Sequence, residues 1–122
     1  MPTITVPMPA GGKWLNSNQR IHRFQEAALT KQWRQAGHDA ALGAEPITCP
    51  ARVIAYITKP RAGRYDPGNL YPTAKAVLDG FTDAGLWPDD SHEYVIGPDM
   101  RHAGKGLAQL TITITPWTGE QP

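Results

Sequence analysis

The sequence is short of several things at once. It carries one cysteine, Cys49, in 122 residues, which excludes an intrachain disulfide and any zinc site built from several cysteines. It has almost no excess charge, since 12 Lys and Arg against 11 Asp and Glu give +1 with His neutral. Contact with an anionic polymer must then come from where the cations stand, not from how many there are. No apolar run approaches the roughly 18–20 residues that span a bilayer, and Met1-Pro2-Thr3 has neither the basic nor the apolar region of a secretory signal. A cytoplasmic protein without membrane or small-molecule business is the expectation. Internal repeats are missing as well. What is present is 40% hydrophobic and 19% charged residues, enough for one domain over residues 1–122 with its own core. The 12 Gly and 12 Pro fall below the share that marks a low-complexity chain.

Periodicity supplies the elements. Thr3-Ile4-Thr5-Val6 alternates and reads as a short strand, closed by Pro7, Pro9, Gly11 and Gly12. Trp14 to Arg20 is a polar loop. Phe24 to about Ala41 reads as a helix with Leu29, Trp33, Ala36 and Ala40 on one face, weakened by Gly37 and ended by Gly43. Arg52 to Thr58 is apolar on both faces and predicts a central strand. A second helix is expected from about Tyr71 to Ala84, with Pro72 in its first turn and Ala74, Val77, Leu78 and Phe81 as its buried stripe. Gly85 stands where the residue after a C-cap belongs. Tyr94-Val95-Ile96 predicts a short strand turned by Gly97-Pro98, and Leu110 to Thr115 a half-buried strand ended by Pro116. The order β–α–β–α–β–β predicts an α+β fold, a small mixed sheet packed against two helices.

The polar residues are least ordinary between Arg61 and Asp90. Asp66 stands in a Gly/Pro loop just before the second helix, and Asp89 and Asp90 stand in a loop just after it. Lys75 and Asp79 are an i, i+4 pair on that helix, off its apolar stripe. Each has an ordinary reading: Asp66-Pro67-Gly68-Asn69 as a turn, Asp89-Asp90-Ser91 as a cap, Lys75–Asp79 as a solvated pair of small value. Together they offer the groups of Mg²⁺-assisted phosphodiester hydrolysis, if the two loops meet. Mg²⁺ takes one or two carboxylates and completes its octahedron with water and substrate phosphate, and a nearby lysine stabilises charge on the reacting phosphorus centre.

Three segments in order resemble the RusA-type Holliday-junction resolvases of bacteria and phages: Arg64-Tyr65-Asp66-Pro67-Gly68-Asn69-Leu70, Ala74-Lys75-Ala76-Val77-Leu78-Asp79-Gly80, and Ala84-Gly85-Leu86-Trp87-Pro88-Asp89-Asp90. Val6-Pro7-Met8-Pro9, the Asn16–Asn18 loop and the Leu110–Thr115 strand are similar too. The resemblance implies a homodimeric, Mg²⁺-dependent endonuclease, with Mn²⁺ as a substitute metal, that cuts four-way DNA junctions symmetrically. Carried over residue by residue, it makes Asp66 and Asp90 metal ligands and Lys75 a catalytic lysine. The chain departs from the pattern at Gly68, where the family has a second loop aspartate, and holds about three extra residues around Tyr71–Thr73. Asp89 is the expected replacement ligand, and Gly68 is expected to supply a positive φ to the turn.

Lys59, Arg61 and Arg64 flank the acidic loop, and Arg101 and Lys105 cluster with His102 in an expected last turn; these are the candidates for DNA phosphates. Arg20 and Arg23 are weaker candidates. His22, His38, His92 and His102 lack metal-ligand spacing and read as surface residues, and Cys49 as a small buried one. Trp33 and Trp87 read as core, while Trp14 has the best claim on DNA or a partner subunit. Two other readings stand beside the nuclease: a junction-binding protein disabled by the loss at Gly68, and a metal-independent interaction domain whose acidic loops only cap helices.

Overall fold

The computed structural model describes residues 2–18, 21–47, 50–61, 63–89, 91 and 93–117; Arg20, Cys49, Asp90 and His92 lie outside them. The alternation read in the sequence builds the sheet. β1 spans Thr3–Pro7, β2 Ala51–Lys59, β3 Val95–Lys105 and β4 Gln109–Pro116. Ala51, Val53, Ala55 and Ile57 of β2 and Leu110, Ile112 and Ile114 of β4 are all buried in one core, while the residues between them face the other way and stay half-buried. The order is β1-β4-β2-β3. β4 pairs antiparallel with β1 and β2, and β2 pairs parallel with β3. The expected mixed sheet with two helices is the observed fold, and β2 is central in it. No helix among the described residues is long and apolar enough to cross a membrane.

The helices, α1 (Arg23–Ala41) and α2 (Tyr71–Asp83), pack on the buried face. α1 begins where the His22 Nδ1 accepts the Phe24 N–H at 3.2 Å, a side-chain cap for an orphan amide. Gly37, read in the sequence as a weakness, is a packing requirement. A Cβ there would lie 2.4 Å from the Val77 carbonyl oxygen, and one at Gly80 would lie 2.1 Å from that of Arg34. The two glycines let the helix backbones touch.

The chain between β1 and α1 is fastened to both helices. Thr73 Oγ1 accepts from Leu15 N–H and donates to Leu15 C=O, both at 2.8 Å, and Trp33 Nε1 donates to Lys13 C=O at 2.8 Å. Trp14 stacks on Trp33 with centroids 5.4 Å apart. One face of the Trp14 ring thus packs against a core tryptophan while the residue stays half-buried.

Two further expectations are corrected. Gly97-Pro98 does not end β3. The strand runs on to Lys105, absorbing register shifts between Arg52 and Ile54 and between Ile57 and Thr58 of its neighbour. Such bulges re-aim the residues that follow. Gly97 makes the first one feasible, since it has φ +117° and a Cβ would sit 2.5 Å from the Val53 carbonyl oxygen. Arg101, His102 and Lys105 are therefore on a strand and not in a turn. Gly68 likewise has no positive φ; it sits in a 3₁₀ turn over Pro67–Leu70.

Candidate functional site

Asp66 is built into its loop by the residue two positions on. Its Oδ1 accepts the Gly68 amide at 2.9 Å, and the Asn69 amide donates to its carbonyl at 2.9 Å. The carboxylate caps the 3₁₀ turn and leads straight into α2. A Cβ at residue 68 would stand 3.2 Å from Asp66 Oδ1, so the glycine leaves room for that hydrogen bond. The Asn16–Asn18 loop lies alongside, with Ser17 N–H donating to Asn69 C=O at 2.8 Å.

The same end of the sheet collects cations. Lys59 closes β2 directly beside Lys105, its register partner on β3, and the Gly106 amide donates to Lys59 C=O at 2.9 Å. Arg61 and Arg64 are exposed on the loop between β2 and Asp66. Tyr65 is half-buried against the strand ends. Lys59 Nζ lies 3.9 Å from its ring centroid, His102 meets it edge-on at 5.1 Å, and its hydroxyl is hydrogen-bonded to His102 Nδ1. Burial raises the phenol's pKa above the ordinary tyrosine value. Gly63, Arg64, Tyr65, Asp66 and His102 line one open cleft of about 480 Å³. The sequence gives Tyr65 no role and sets His102, a surface residue, beside Arg101 and Lys105 among the phosphate candidates. The signal available was the aromatic between Arg64 and Asp66; the partner strand that makes it meaningful is visible only in the fold.

Arg101 is separated from this group. It lies opposite Tyr56, whereas His102 lies opposite Ile57, so the two point to opposite faces. Arg101 and Arg52 both donate to Asp99 Oδ2, at 3.1 and 2.9 Å.

Lys75 stands one turn into α2 and donates to Asp79 Oδ1 at 2.8 Å, as its i, i+4 spacing predicts. Asp89 is at the other end of the molecule. β2 and β3 are parallel, so α2 must carry the chain back along the sheet, and the loops before and after it fall at opposite ends. The hydrogen bonds agree. Tyr65 meets the end of the parallel pair at Lys59 and His102. The turn after α2 meets its beginning, with Ile47 N–H donating to Leu86 C=O and Ala51 N–H to Tyr94 C=O, both at 2.8 Å. With 13 residues in α2, the gap is about 20 Å. Asp89 Oδ1 accepts the Ser91 amide at 2.9 Å, the capping role of the ordinary reading. The expected union of Asp66 and Asp89 in one metal site is not made within a chain, and Asp90 lies outside the described residues. Among the described residues no three His, Cys, Asp or Glu side chains come together as a metal cradle. Asp66 by itself does not make an all-protein cage for Mg²⁺.

Compared with known proteins, the chain matches no family model and no curated sequence.

Proposed function

We propose that the protein is a Mg²⁺-dependent, structure-selective endonuclease of RusA type that resolves four-way DNA junctions as a homodimer. The observation that carries the reading is the grouping at one end of the parallel strand pair. A single oriented carboxylate, Asp66, stands among Lys59, Arg61, Arg64 and Lys105, with Lys75 one turn into the following helix. A carboxylate that served only as a helix cap would need no such collar. A phosphodiester-cutting site needs both halves, cations to hold the anionic strand and a carboxylate to hold a metal ion against it.

Mg²⁺ held at Asp66 would polarise the phosphate and activate a water. Lys75 would then offset charge that builds on the phosphate in the transition state. The second carboxylate available among the described residues, Asp89, belongs to a loop about 20 Å away along α2, so a site that uses it together with Asp66 draws the two from two protomers. Two-fold symmetry makes such a contact reciprocal, giving two equivalent sites for the two symmetric cuts of a junction.

The test is a gel assay on a synthetic four-way junction with wild type and Lys75→Ala. Wild type should give paired nicks with Mg²⁺ and none with EDTA, and Lys75→Ala should cut at least about tenfold more slowly while binding the junction as before. Binding without any Mg²⁺-dependent product selects instead a junction-binding protein without catalysis. Neither binding nor cutting overturns both.

A further inference from the structure

We propose that Lys59, Arg64 and His102 form a phosphate subsite for a DNA strand beside Asp66, and that Tyr65 is the residue that positions it. The inference rests on the nuclease reading and adds to it Tyr65, which the sequence leaves without a role, and its pairing with His102.

Tyr65 touches both of its neighbours in the cleft at once. Lys59 Nζ lies over the ring at 3.9 Å, an oriented ammonium held by the ring's negative face. The tyrosine hydroxyl is bonded to Nδ1 of His102. When the phenol donates that bond, Nδ1 is the acceptor and the neutral imidazole carries its proton on Nε2. In that arrangement the outer edge of His102 is an N–H donor. Arg64 lines the same cleft and is exposed, and Lys105 follows next to Lys59 on the adjoining strand. The one acid in the cleft, Asp66, has Oδ1 turned onto the Gly68 amide. Donors of one sign therefore converge beside a carboxylate whose position is fixed, which suits a phosphate next to the one that is cut. A base stacked on Tyr65 is the less fitting occupant, since Lys59 already covers a face of the ring and His102 meets it edge-on.

The experiment measures binding of a fluorescein-labelled four-way junction in EDTA across a salt series. It uses the full chain as wild type, Lys59→Met, Tyr65→Phe, His102→Ala and the Tyr65→Phe/His102→Ala double variant. Each lost phosphate contact lowers the slope of log K against log salt by about 0.9, so Lys59→Met should flatten it by about one. Tyr65→Phe keeps ring and charge and removes only the positioning hydroxyl, so affinity should fall about three- to tenfold. In the His102→Ala background the same change should cost nothing further, a coupling that a merely structural tyrosine does not show. An unchanged slope in Lys59→Met, or an equal loss from Tyr65→Phe in both backgrounds, overturns the subsite. Cutting by wild type in Mg²⁺ is scored separately. Cutting with these binding results absent sinks the subsite alone, the binding results without cutting sink the nuclease alone, and no DNA binding by wild type sinks both.

Discussion

Asp66 caps a turn, and the proposed function gives it a second job, holding the metal, that a pair of substitutions can separate from the first. Its carboxylate oxygen caps the 3₁₀ turn through the Gly68 amide, and asparagine offers an equivalent oxygen, ranking with aspartate as a cap. Asp66→Asn should therefore leave the unfolding midpoint unchanged and junction binding intact while Mg²⁺-dependent cutting disappears, because only the charge that holds the metal has gone. Asp66→Ala removes the cap as well and should cost a further ~1 kcal/mol of stability, read by urea denaturation. Normal cutting by Asp66→Asn would remove Asp66 from the metal site. Gly68 belongs to the same scale. Read as a turn glycine, it was expected to supply a positive φ; in the fold its contribution is an amide for Asp66 and the missing side chain that leaves Oδ1 uncrowded.

Between elements, the helix pair shows where local preference loses. Gly80→Ala gains helix propensity worth up to about 1 kcal/mol. It also places a methyl 2.1 Å from the Arg34 carbonyl oxygen and 2.6 Å from the His38 nitrogen, backbone atoms that cannot swing aside. Overpacking of this kind costs about 1–3 kcal/mol or more, so the clash wins, and urea denaturation should find the variant less stable than wild type. The same helices are joined at the edge by Arg34 and Asp83, whose bonds at 2.6 and 2.8 Å are bidentate. The Arg34 hydrogen bonds hold the Asp83 carboxyl below its ordinary pKa. A depressed folded-state pKa contributes stability above the unfolded value and loses it as pH falls through the folded one. Asp83→Asn should thus destabilise at pH 7 by no more than ~1 kcal/mol, since the pair is exposed. The difference from wild type should close as the pH drops below about 4, the ordinary aspartate range, and disappear below the depressed value; thermal melts across pH 2–7 read it. A gap that persists at pH 2 would mean Asp83 acts through packing.

How much could be read in advance also divides by element. α2 was legible because Ala74, Val77, Leu78 and Phe81 repeat at helical spacing and all are buried, and β4 because threonine and large aliphatic residues alternate without a break. β3 was legible only as far as Ile96. The residues after it satisfy strand pairing through two bulges, and a bulge breaks the alternation on which a sequence reading depends. The packing role of Gly37 and Gly80 gave no signal because it is a contact between segments far apart in the chain. The Tyr65–His102 bond was invisible for the same reason. Whether the loops of Asp66 and Asp89 meet is left open by the sequence, because it turns on the direction of β3 relative to β2. A strand–helix–strand order with parallel strands sends the two helix-flanking loops to opposite ends.

For the whole molecule, the proposed nuclease needs a dimer if its site is to hold two carboxylates, and this can be tested without a structure of the complex. If Asp66 of one protomer works with Asp90 of the other, a dimer formed from one Asp66→Asn chain and one Asp90→Asn chain contains one doubly damaged site and one with both carboxylates intact. If the two aspartates served the same site within a chain, each site of that mixed dimer would lack one ligand. The two single variants should each be inactive alone. Mixed in equal amounts and allowed to exchange subunits, about half of the dimers are hybrids, each with one of two sites working, so Mg²⁺-dependent nicking of one strand should return at about a quarter of the wild-type rate. Paired cuts within one binding event should not return, because the second site of every hybrid is dead; a cruciform plasmid distinguishes the two, yielding open circles where wild type yields linear product. No recovery after exchange, with one variant isotope-labelled so that mass identifies the hybrids, would sink the two-protomer site.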